Sequence, residues 1–348
     1  MSHSVSTDAR SRWRVVAVWA AVGALLLVAF ASAVGALNRE VYSAGGFVRQ
    51  YLDALNRHDA AGALEMPGVA LNDEDIAAAG LPEWTSKDLL RPSLTGGITD
   101  IELVDDRRAA SGVHYVTYRY TVSGQEQSSR FQVRSTGVMW GLFPSWEFVR
   151  SPLAPVQVNV LHASRFQVAG LTLDTRATAP EEVSGGFNTS ATYLMFSPGS
   201  YTFSHSSPLL IADPVTTRVT DPSSTVQVNV DTRATQDFVD QVQEQVNAYL
   251  DECTTQTVLQ PSGCPFGVVI ENRIQGPPQW SMSQYPEISI QPGETSWYSP
   301  PSQGAAHITV EVKSLFDGTL SLMDEDEPFT MSLQVDVRPD GSLDIHVL

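Results

Sequence analysis

Residues 15–37 read VVAVWAAVGALLLVAFASAVGAL, an uncharged stretch in which Ser32 is the one clearly polar side chain. At about 1.5 Å of rise per residue, a helix of this length spans roughly 34 Å, which is enough to cross a hydrocarbon core of about 30 Å. The stretch therefore predicts a transmembrane helix, so that residues 38–348 lie on one side of a bilayer.

Charges at the two ends of this stretch predict its orientation. Three arginines lie within residues 1–14, and Arg39 and Glu40 follow the apolar run. Positive charge beside a membrane helix favours the cytoplasmic side. We therefore expect a cytoplasmic tail over residues 1–14 and an extracytoplasmic C-terminus, with residues 15–37 contacting the lipid bilayer.

The alternative interpretation of this stretch is a signal peptide that directs export and is then cleaved, which would leave no membrane anchor. Ala31-Ser32-Ala33 and Val34-Gly35-Ala36 both match the small-x-small pattern at which signal peptides are cleaved. The apolar run is longer than the usual core of about 7–15 residues in a signal peptide, which favours a retained anchor.

The composition limits the classes of partner. The chain has 348 residues, of which 39 are acidic and 21 basic, and its formal net charge is −18 at pH 7. Such a surface repels phosphate backbones, so we exclude nucleic-acid binding. The exterior is also too long for one ordinary compact domain, and two or three domains are expected.

Cys253 and Cys264 are the two cysteines of the chain. Outside the cytoplasm an oxidised pair is expected, and the bridge would close a short loop. The other interpretations are a reduced pair or a metal site, but two cysteines without a nearby histidine make a poor zinc site.

The first part of the exterior has a helical pattern followed by a strand pattern. Apolar residues recur at helical spacing over residues 44–58, where Phe47, Tyr51 and Leu55 share one stripe. A second short helix precedes Pro67-Gly68, and Asn72 is a candidate cap for a third. Beyond these the period changes to two, and we expect strands over residues 98–104, 113–122, 127–134 and 146–149.

Two segments of this part carry a family resemblance. Residues 47–59 read FVRQYLDALNRHD, and with Trp146-Glu147-Phe148 they resemble the curled α+β fold of the nuclear-transport-factor-2-like superfamily. The exterior also resembles uncharacterised membrane-anchored extracytoplasmic proteins of high-GC Gram-positive bacteria, in LFPSW (142–146), PSGCPFG (261–267) and SLFDG (314–318). The resemblance implies a cone-like α+β domain over residues 44–150 and a place in the cell envelope, and it implies no activity.

The middle of the chain has a β-rich pattern. Ser151-Pro152-Leu153-Ala154-Pro155 is interpreted as a linker, because two prolines interrupt helix and strand hydrogen bonding. Short strand-like segments between Gly, Pro and Ser turns then predict a small β-sandwich domain over residues 156–232. Gln157-Val158-Asn159-Val160 recurs as Gln227-Val228-Asn229-Val230, which indicates either paired strands or coincidence.

The last part begins with a second amphipathic helix over residues 236–252, whose apolar stripe includes Phe238 and Val242. Asp317-Gly318 and Asp340-Gly341 are hairpin signals. The pattern predicts a second cone-like α+β domain, containing the disulfide, over residues 235–348. Its expected strands cover residues 287–290, 307–315, 329–337 and 343–347.

No motif for catalysis, cofactor binding or metal binding rises above background. Gly-x-Ser-x-Gly is absent and the seven histidines are scattered, which argues against a hydrolase triad. The acidic run Asp324-Glu325-Asp326-Glu327 lacks the spacing of a calcium loop and is interpreted as a solvated loop. We therefore predict no catalytic residues, no cofactor and no metal ligands.

One region keeps an alternative open. Members of the superfamily that residues 47–59 resemble often hold an apolar pocket, and some use Asp with Tyr for proton transfer. On the strand over residues 113–122, His114 and Tyr118 share one face while Tyr115 takes the other. The candidate pocket residues are Tyr51, Asp53, Trp84, His114 and Tyr118.

The chain as a whole is predicted to be an α+β protein, with an N-terminal transmembrane helix, a cone-like α+β domain, a small β-sandwich and a second cone-like α+β domain. An anchor, β-rich modules, a disulfide and no reactive constellation favour a non-enzymatic binding or assembly role at the bacterial cell envelope, with another envelope protein as partner. The alternative is an envelope enzyme or small-ligand carrier that uses the pocket of the first domain. A filled core with an exposed apolar strip would favour the binding role, and a deep pocket would favour the alternative.

Overall fold

The structure is a computed structural model that describes residues 8–139, 141–180, 182, 186–338 and 340–348. It confirms an N-terminal apolar helix followed by mostly sheet structure with some helices, as expected for an α+β protein. The chain divides into two compact units. The first contains Met1–Val156, Tyr193–Tyr201 and Thr217–Val226, and the second contains Gln157–Thr192, Thr202–Thr216 and Gln227–Leu348. The domain boundaries expected from the sequence stay predictions.

Helix α1 covers Asp8–Glu40. Within it, Val16–Glu40 has a mean hydropathy of 2.3 in its most apolar window, and none of that window is buried inside the protein. Length and composition therefore allow this helix to cross a membrane, and it is the one such helix in the part of the chain that the structure describes.

Three helices follow in the first unit: α2 over Ala44–Asn56, α3 over Ala60–Glu65 and α4 over Asp73–Ala78. Each begins where a short polar side chain satisfies a free backbone N–H, as N-caps do. The Ser43 hydroxyl accepts from Gly46 N at 2.9 Å, and Asn72 forms a capping box with Asp75. These caps explain why the three helical patterns expected from the sequence are confirmed.

A four-stranded antiparallel sheet follows these helices, in the order β1-β2-β3-β4. Tyr51, Leu52 and Leu55 of α2 pack in one hydrophobic core with Phe131 and Phe148 of the sheet. The amphipathic stripe of α2 therefore faces the sheet. The strands are β1 over Ile98–Arg108, β2 over His114–Val122, β3 over Gln125–Met139 and β4 over Phe143–Phe148.

Eight strands occupy the middle of the chain. They form a sheet of order β12-β10-β9-β6-β7 and a sheet of order β11-β5-β8. The strands are β5 over Leu153–Leu161, β6 over Arg165–Val168, β7 over Leu171–Asp174, β8 over Thr189–Phe196, β9 over Gly199–Ser206, β10 over Leu210–Val219, β11 over Val226–Asp231 and β12 over Arg233–Ala234.

Two expectations for this region are decided. The linker over residues 151–155 is wrong, because β5 already begins at Leu153 and its first residues are buried; a proline near a strand start removes only one donor. The repeated QVNV segments lie on β5 and β11, which are neighbours, and Asn159 Nδ2 donates to Asn229 Oδ1 at 2.9 Å. The repeat therefore marks paired strands.

The second unit contains α5 over Gln236–Thr254. Thr235 caps this helix, and Phe238, Val242, Val246 and Leu250 form its buried stripe. The helix packs in one core with a six-stranded antiparallel sheet. Its strands are β13 over Arg273–Ile274, β14 over Gln279–Gln284, β15 over Gln291–Pro292, β16 over Trp297–Lys313, β17 over Leu320–Val337 and β18 over Leu343–Val347.

Two local predictions in this unit are wrong. Residues 287–290 are not a strand, because Gln243 of α5 meets their backbone: its Nε2 donates to Pro286 O at 3.0 Å and its Oε1 accepts from Ile288 N at 3.0 Å. The acidic run over residues 324–327 is not a loop but part of β17. Successive acids therefore point to opposite faces of the sheet.

The Cys253–Cys264 disulfide is confirmed. The two Cα atoms lie 5.9 Å apart, and the bridge joins the last turn of α5 to the following loop. Closing a loop with a sequence separation of 11 residues should stabilise the fold by about 3 kcal/mol in the chain-entropy model.

We therefore expect Cys253→Ser to lower the melting temperature of the full chain in detergent, and reductant to lower it equally in the wild type. The variant itself should not respond to reductant, which serves as the internal control. Equal melting temperatures of the wild type with and without reductant would contradict a stabilising bridge.

Candidate functional site

The two tyrosines of the predicted pocket lie in the core of the first unit. The Tyr51 hydroxyl donates to Ser197 O at 3.0 Å, and the Tyr118 hydroxyl donates to Gly45 O at 3.0 Å. Burial raises the pKa of Tyr118 to about 12 and that of Tyr51 well above its ordinary value. Both phenols are therefore protonated donors to backbone carbonyls, and they fill space between α2 and the sheet.

The other three pocket candidates lie at partly exposed positions. Asp53 Oδ1 is 2.9 Å from Arg49 Nε one turn earlier on α2. His114 Nδ1 is 2.7 Å from Asp106 Oδ1, and its ring packs edge-on against Trp146. Trp84 is exposed. The structure thus brings Tyr51 and Tyr118 together in the core and places the other candidates outside it, and the pocket stays a prediction.

The most exposed apolar surface of the second unit lies at the end of the β16–β17 hairpin. Phe316 is 99% exposed, and Leu315, Leu320 and Leu322 are also largely exposed. We call these four side chains the hairpin tip. A surface of this kind is unusual, because contact between water and large apolar side chains is unfavourable unless a partner covers them.

Hydrogen bonds order the loop that carries Phe316. Asp317 Oδ1 accepts from the backbone N and the hydroxyl of Thr319, at 3.1 and 2.9 Å. Ser314 Oγ accepts from Phe316 N at 3.3 Å, and Gly318 adopts φ +76°, a value that glycine reaches without strain. These contacts confirm the Asp317-Gly318 hairpin, with a loop longer than two residues, and they fix the backbone that presents Phe316.

A charged cluster lies further along the same face of the hairpin. His307 Nε2 is 2.7 Å from Asp324 Oδ1, and its Nδ1 is 2.9 Å from Asp326 Oδ1. The hydrogen bonds to Asp326 and Asp324 raise the pKa of the imidazole, and the same bonds lower the pKa of each carboxyl. Leu320, Leu322, Asp324 and Asp326 occupy every second position of β17 and therefore share one face of the strand. The apolar hairpin tip thus lies next to an acidic surface on the same face.

Sequence reasoning missed a cleft of about 440 Å³ in the second unit. His162 there has φ +62°, which is uncommon for a residue other than glycine. Its Nδ1 lies 3.2 Å from Thr232 O and 3.3 Å from Asp231 Oδ1. No local pattern marks this histidine, because its partners are distant in sequence. The lining includes His162, Asp213, Asp231, Arg233, Gln291 and Trp297.

The chemistry that these places support is binding. The hairpin tip offers apolar contact beside acidic groups, and the cleft offers carboxylates, an imidazole and one guanidinium. Among the described residues, no group of three or more His, Cys, Asp or Glu is arranged to hold a metal ion. Comparisons with protein-family models, curated proteins and solved structures find no match to this chain.

Proposed function

We propose that this protein is a single-pass membrane protein whose exterior binds another envelope protein through the hairpin tip. Helix α1 supports the anchoring, because Val16–Glu40 has the length and apolarity to cross a bilayer. The arginines within residues 1–14 support a cytoplasmic N-terminus. The Cys253–Cys264 bridge supports an oxidising, extracytoplasmic environment for the remainder.

The observation that carries the binding proposal is the exposure of Phe316 on an ordered loop. A flexible loop could turn a phenylalanine back onto the protein, whereas the Asp317 and Ser314 hydrogen bonds hold this loop with its ring in water. The filled core around Tyr51 and Tyr118 points the same way, since it leaves surface contact as the better-supported mode of recognition.

Charge limits the kind of partner. The chain has a net charge of −18, and Asp324 and Asp326 share the outer face of the hairpin with Leu320 and Leu322. A second copy would bring like charges together, which is unfavourable at an interface. We therefore propose a partner protein with an apolar pocket that receives Phe316 and with basic side chains at the rim of that pocket.

Phe316→Ser should weaken this complex by about 10- to 100-fold, because burying a phenylalanine side chain contributes about 1.5–3 kcal/mol. The measurement is photo-crosslinking in native membranes with a benzophenone amino acid at position 320 of the hairpin tip, where Leu320 is 58% exposed. We expect one discrete adduct, and Phe316→Ser and Leu322→Ser should each reduce it.

The matched control is the same benzophenone residue at position 269, since Val269 is also strongly exposed in the second unit. It should give no such adduct. Equal labelling from positions 269 and 320, or an adduct insensitive to both Phe316→Ser and Leu322→Ser, would contradict a specific surface at the hairpin tip.

We also propose the finer architecture expected from the sequence. The order of α2, α3 and α4 before an antiparallel β1–β4 sheet supports a cone-like fold of the nuclear-transport-factor-2-like type for residues 44–150. A helix followed by antiparallel strands supports a second cone-like domain over residues 235–348, and the β-rich middle supports a small sandwich over residues 156–232.

A small-ligand carrier is the second candidate function, and one observation favours it. His162 holds an unfavourable backbone conformation at the edge of a cleft, with its Nδ1 engaged by Thr232 O and Asp231. Strained residues of this kind cluster at binding sites. If the protein carries a small ligand, this cleft in the second unit is a better-supported place for it than the filled core of the first unit.

A further inference from the structure

The C-terminal end of α1 and the residues directly after it are tied to one end of the first sheet. Asn38 Nδ2 donates to Leu142 O at 3.1 Å, and the rings of Tyr42 and Phe143 stack with centroids 4.3 Å apart. Trp146 Nε1 donates to Tyr42 O at 2.8 Å. Three contacts thus fix Leu142 and the first residues of β4 next to the C-terminal end of α1.

The sheet extends unevenly at this end. Strand β2 begins at His114, which lies opposite Val133 of β3, so beyond that point β3 continues to Met139 and pairs with β4 alone. The result is a two-stranded ribbon. Val138 is 62% exposed and Leu142 is 43% exposed, and Met139 is exposed as well. Trp140 lies outside the described residues.

The ribbon also differs in composition from the remainder of the chain. Residues 135–146 contain no Asp, Glu, Lys or Arg, although the protein as a whole carries a net charge of −18. Exposed apolar side chains without neighbouring charges suit a lipid surface, which a strongly acidic protein otherwise avoids.

The depth of the ribbon follows from α1. A hydrocarbon core of about 30 Å takes roughly 20 helical residues, so a span that starts near Val16 leaves the core shortly before Asn38. Asn38 then lies in the interfacial layer. Since its side chain is hydrogen-bonded to Leu142 O, the end of the ribbon lies at the same depth.

We infer that Val138, Met139 and Leu142 insert into the outer interfacial layer of the bilayer that α1 spans, as a second lipid contact. This inference rests on the anchoring proposed above. Two contacts at separate points restrain the tilt of the first unit relative to the membrane plane, whereas a single helix followed by a free linker would leave that tilt open.

The test is lipid quenching of a fluorophore on the full chain in nanodiscs, with the native disulfide kept oxidised. Leu142→Cys, and independently Val138→Cys, are labelled with an environment-sensitive dye. One set of nanodiscs contains phospholipids with nitroxides near the headgroup, and a second set has the nitroxides deep in the acyl chains. Leu26→Cys, within α1, and Phe316→Cys, at the hairpin tip, are the controls. We expect the labels at 138 and 142 to shift to the blue and lose more than half of their emission, while the label at 316 does neither.

The outcomes separate the two proposals. Labels at 138 and 142 that behave like the one at 316, while a label at 26 is quenched by nitroxides deep in the acyl chains, would overturn the lipid contact and leave the anchoring intact. A label at 26 that deep nitroxides fail to quench would overturn the anchoring itself. Circular dichroism of each variant confirms that the fold is retained, and quenching at both 138 and 142 guards against a local disturbance at either site.

Discussion

Trp297→Ala is expected to lower the free energy of unfolding by about 3–5 kcal/mol, the range found when a large core aromatic is truncated. Trp297 is 2% exposed at the start of β16. Its ring contacts Phe187, Phe238 and His162 edge-on, with centroids 5.6 to 5.7 Å away. Removing the indole leaves a cavity, because a close-packed core relaxes only partly around a missing side chain.

Guanidinium unfolding of the full chain in detergent, followed by far-ultraviolet circular dichroism, measures this loss. Phe316→Ala is the matched control, since it removes an aromatic ring of similar size from water and should change stability by less than about 0.5 kcal/mol. Trp297→Phe should fall between the two. Coincident transitions for Trp297→Ala and Phe316→Ala would show that the indole does not organise this core.

Leu26→Arg is expected to shift the insertion equilibrium against the membrane by about 100-fold, because an arginine at the centre of a membrane helix costs about 3 kcal/mol. Leu26 lies in the middle of the Val16–Glu40 span and is exposed along α1. The fraction of chain recovered with membranes after carbonate extraction measures the effect.

Two controls sharpen this experiment. Leu26→Val keeps the residue apolar and should behave as the wild type. Leu315→Arg places the same charge at the hairpin tip and should leave membrane recovery unchanged, although it should impair partner binding. Normal recovery of Leu26→Arg in membranes would contradict a spanning role for α1.

Local signals account for the parts of the fold that were predictable. Helices α2 and α5 each have an N-cap, Ser43 and Thr235 respectively, followed by an apolar stripe. Both features depend on residues that are close together in the sequence. The Asp317-Gly318 hairpin is likewise local, because glycine is needed for the positive φ at Gly318. The cysteine pair was predictable from spacing and expected compartment.

Tertiary partners account for the parts that were not. Residues 287–290 have a strand-like composition. The side chain of Gln243, on a helix more than forty positions earlier, instead forms hydrogen bonds with the backbone of Pro286 and Ile288. Pro152 lies directly before β5 and Pro155 lies within it, and the chain still forms a buried strand from Leu153. Neither outcome is encoded in a window of a few residues.

The candidate site shows the same limit. Alternation along β2 correctly put His114 and Tyr118 on one face. It could not predict that the Tyr118 hydroxyl donates to Gly45 O or that the Tyr51 hydroxyl donates to Ser197 O. Composition could not distinguish a buried Phe from an exposed one, so the exposure of Phe316 was invisible before the hairpin was seen in three dimensions. His162 depends on Asp231 and Thr232, which follow much later in the chain.

The interleaved course of the chain has a consequence for biosynthesis. The first unit includes Tyr193–Tyr201 and Thr217–Val226, and Leu194 and Phe196 belong to the same core as Tyr51. That core therefore stays incomplete on an emerging polypeptide until Tyr193–Tyr201 has been synthesised. A nascent chain halted before residue 193 would leave the apolar face of α2 incompletely covered and open to chaperones and proteases, so the first unit cannot finish folding before most of the middle of the chain has been made.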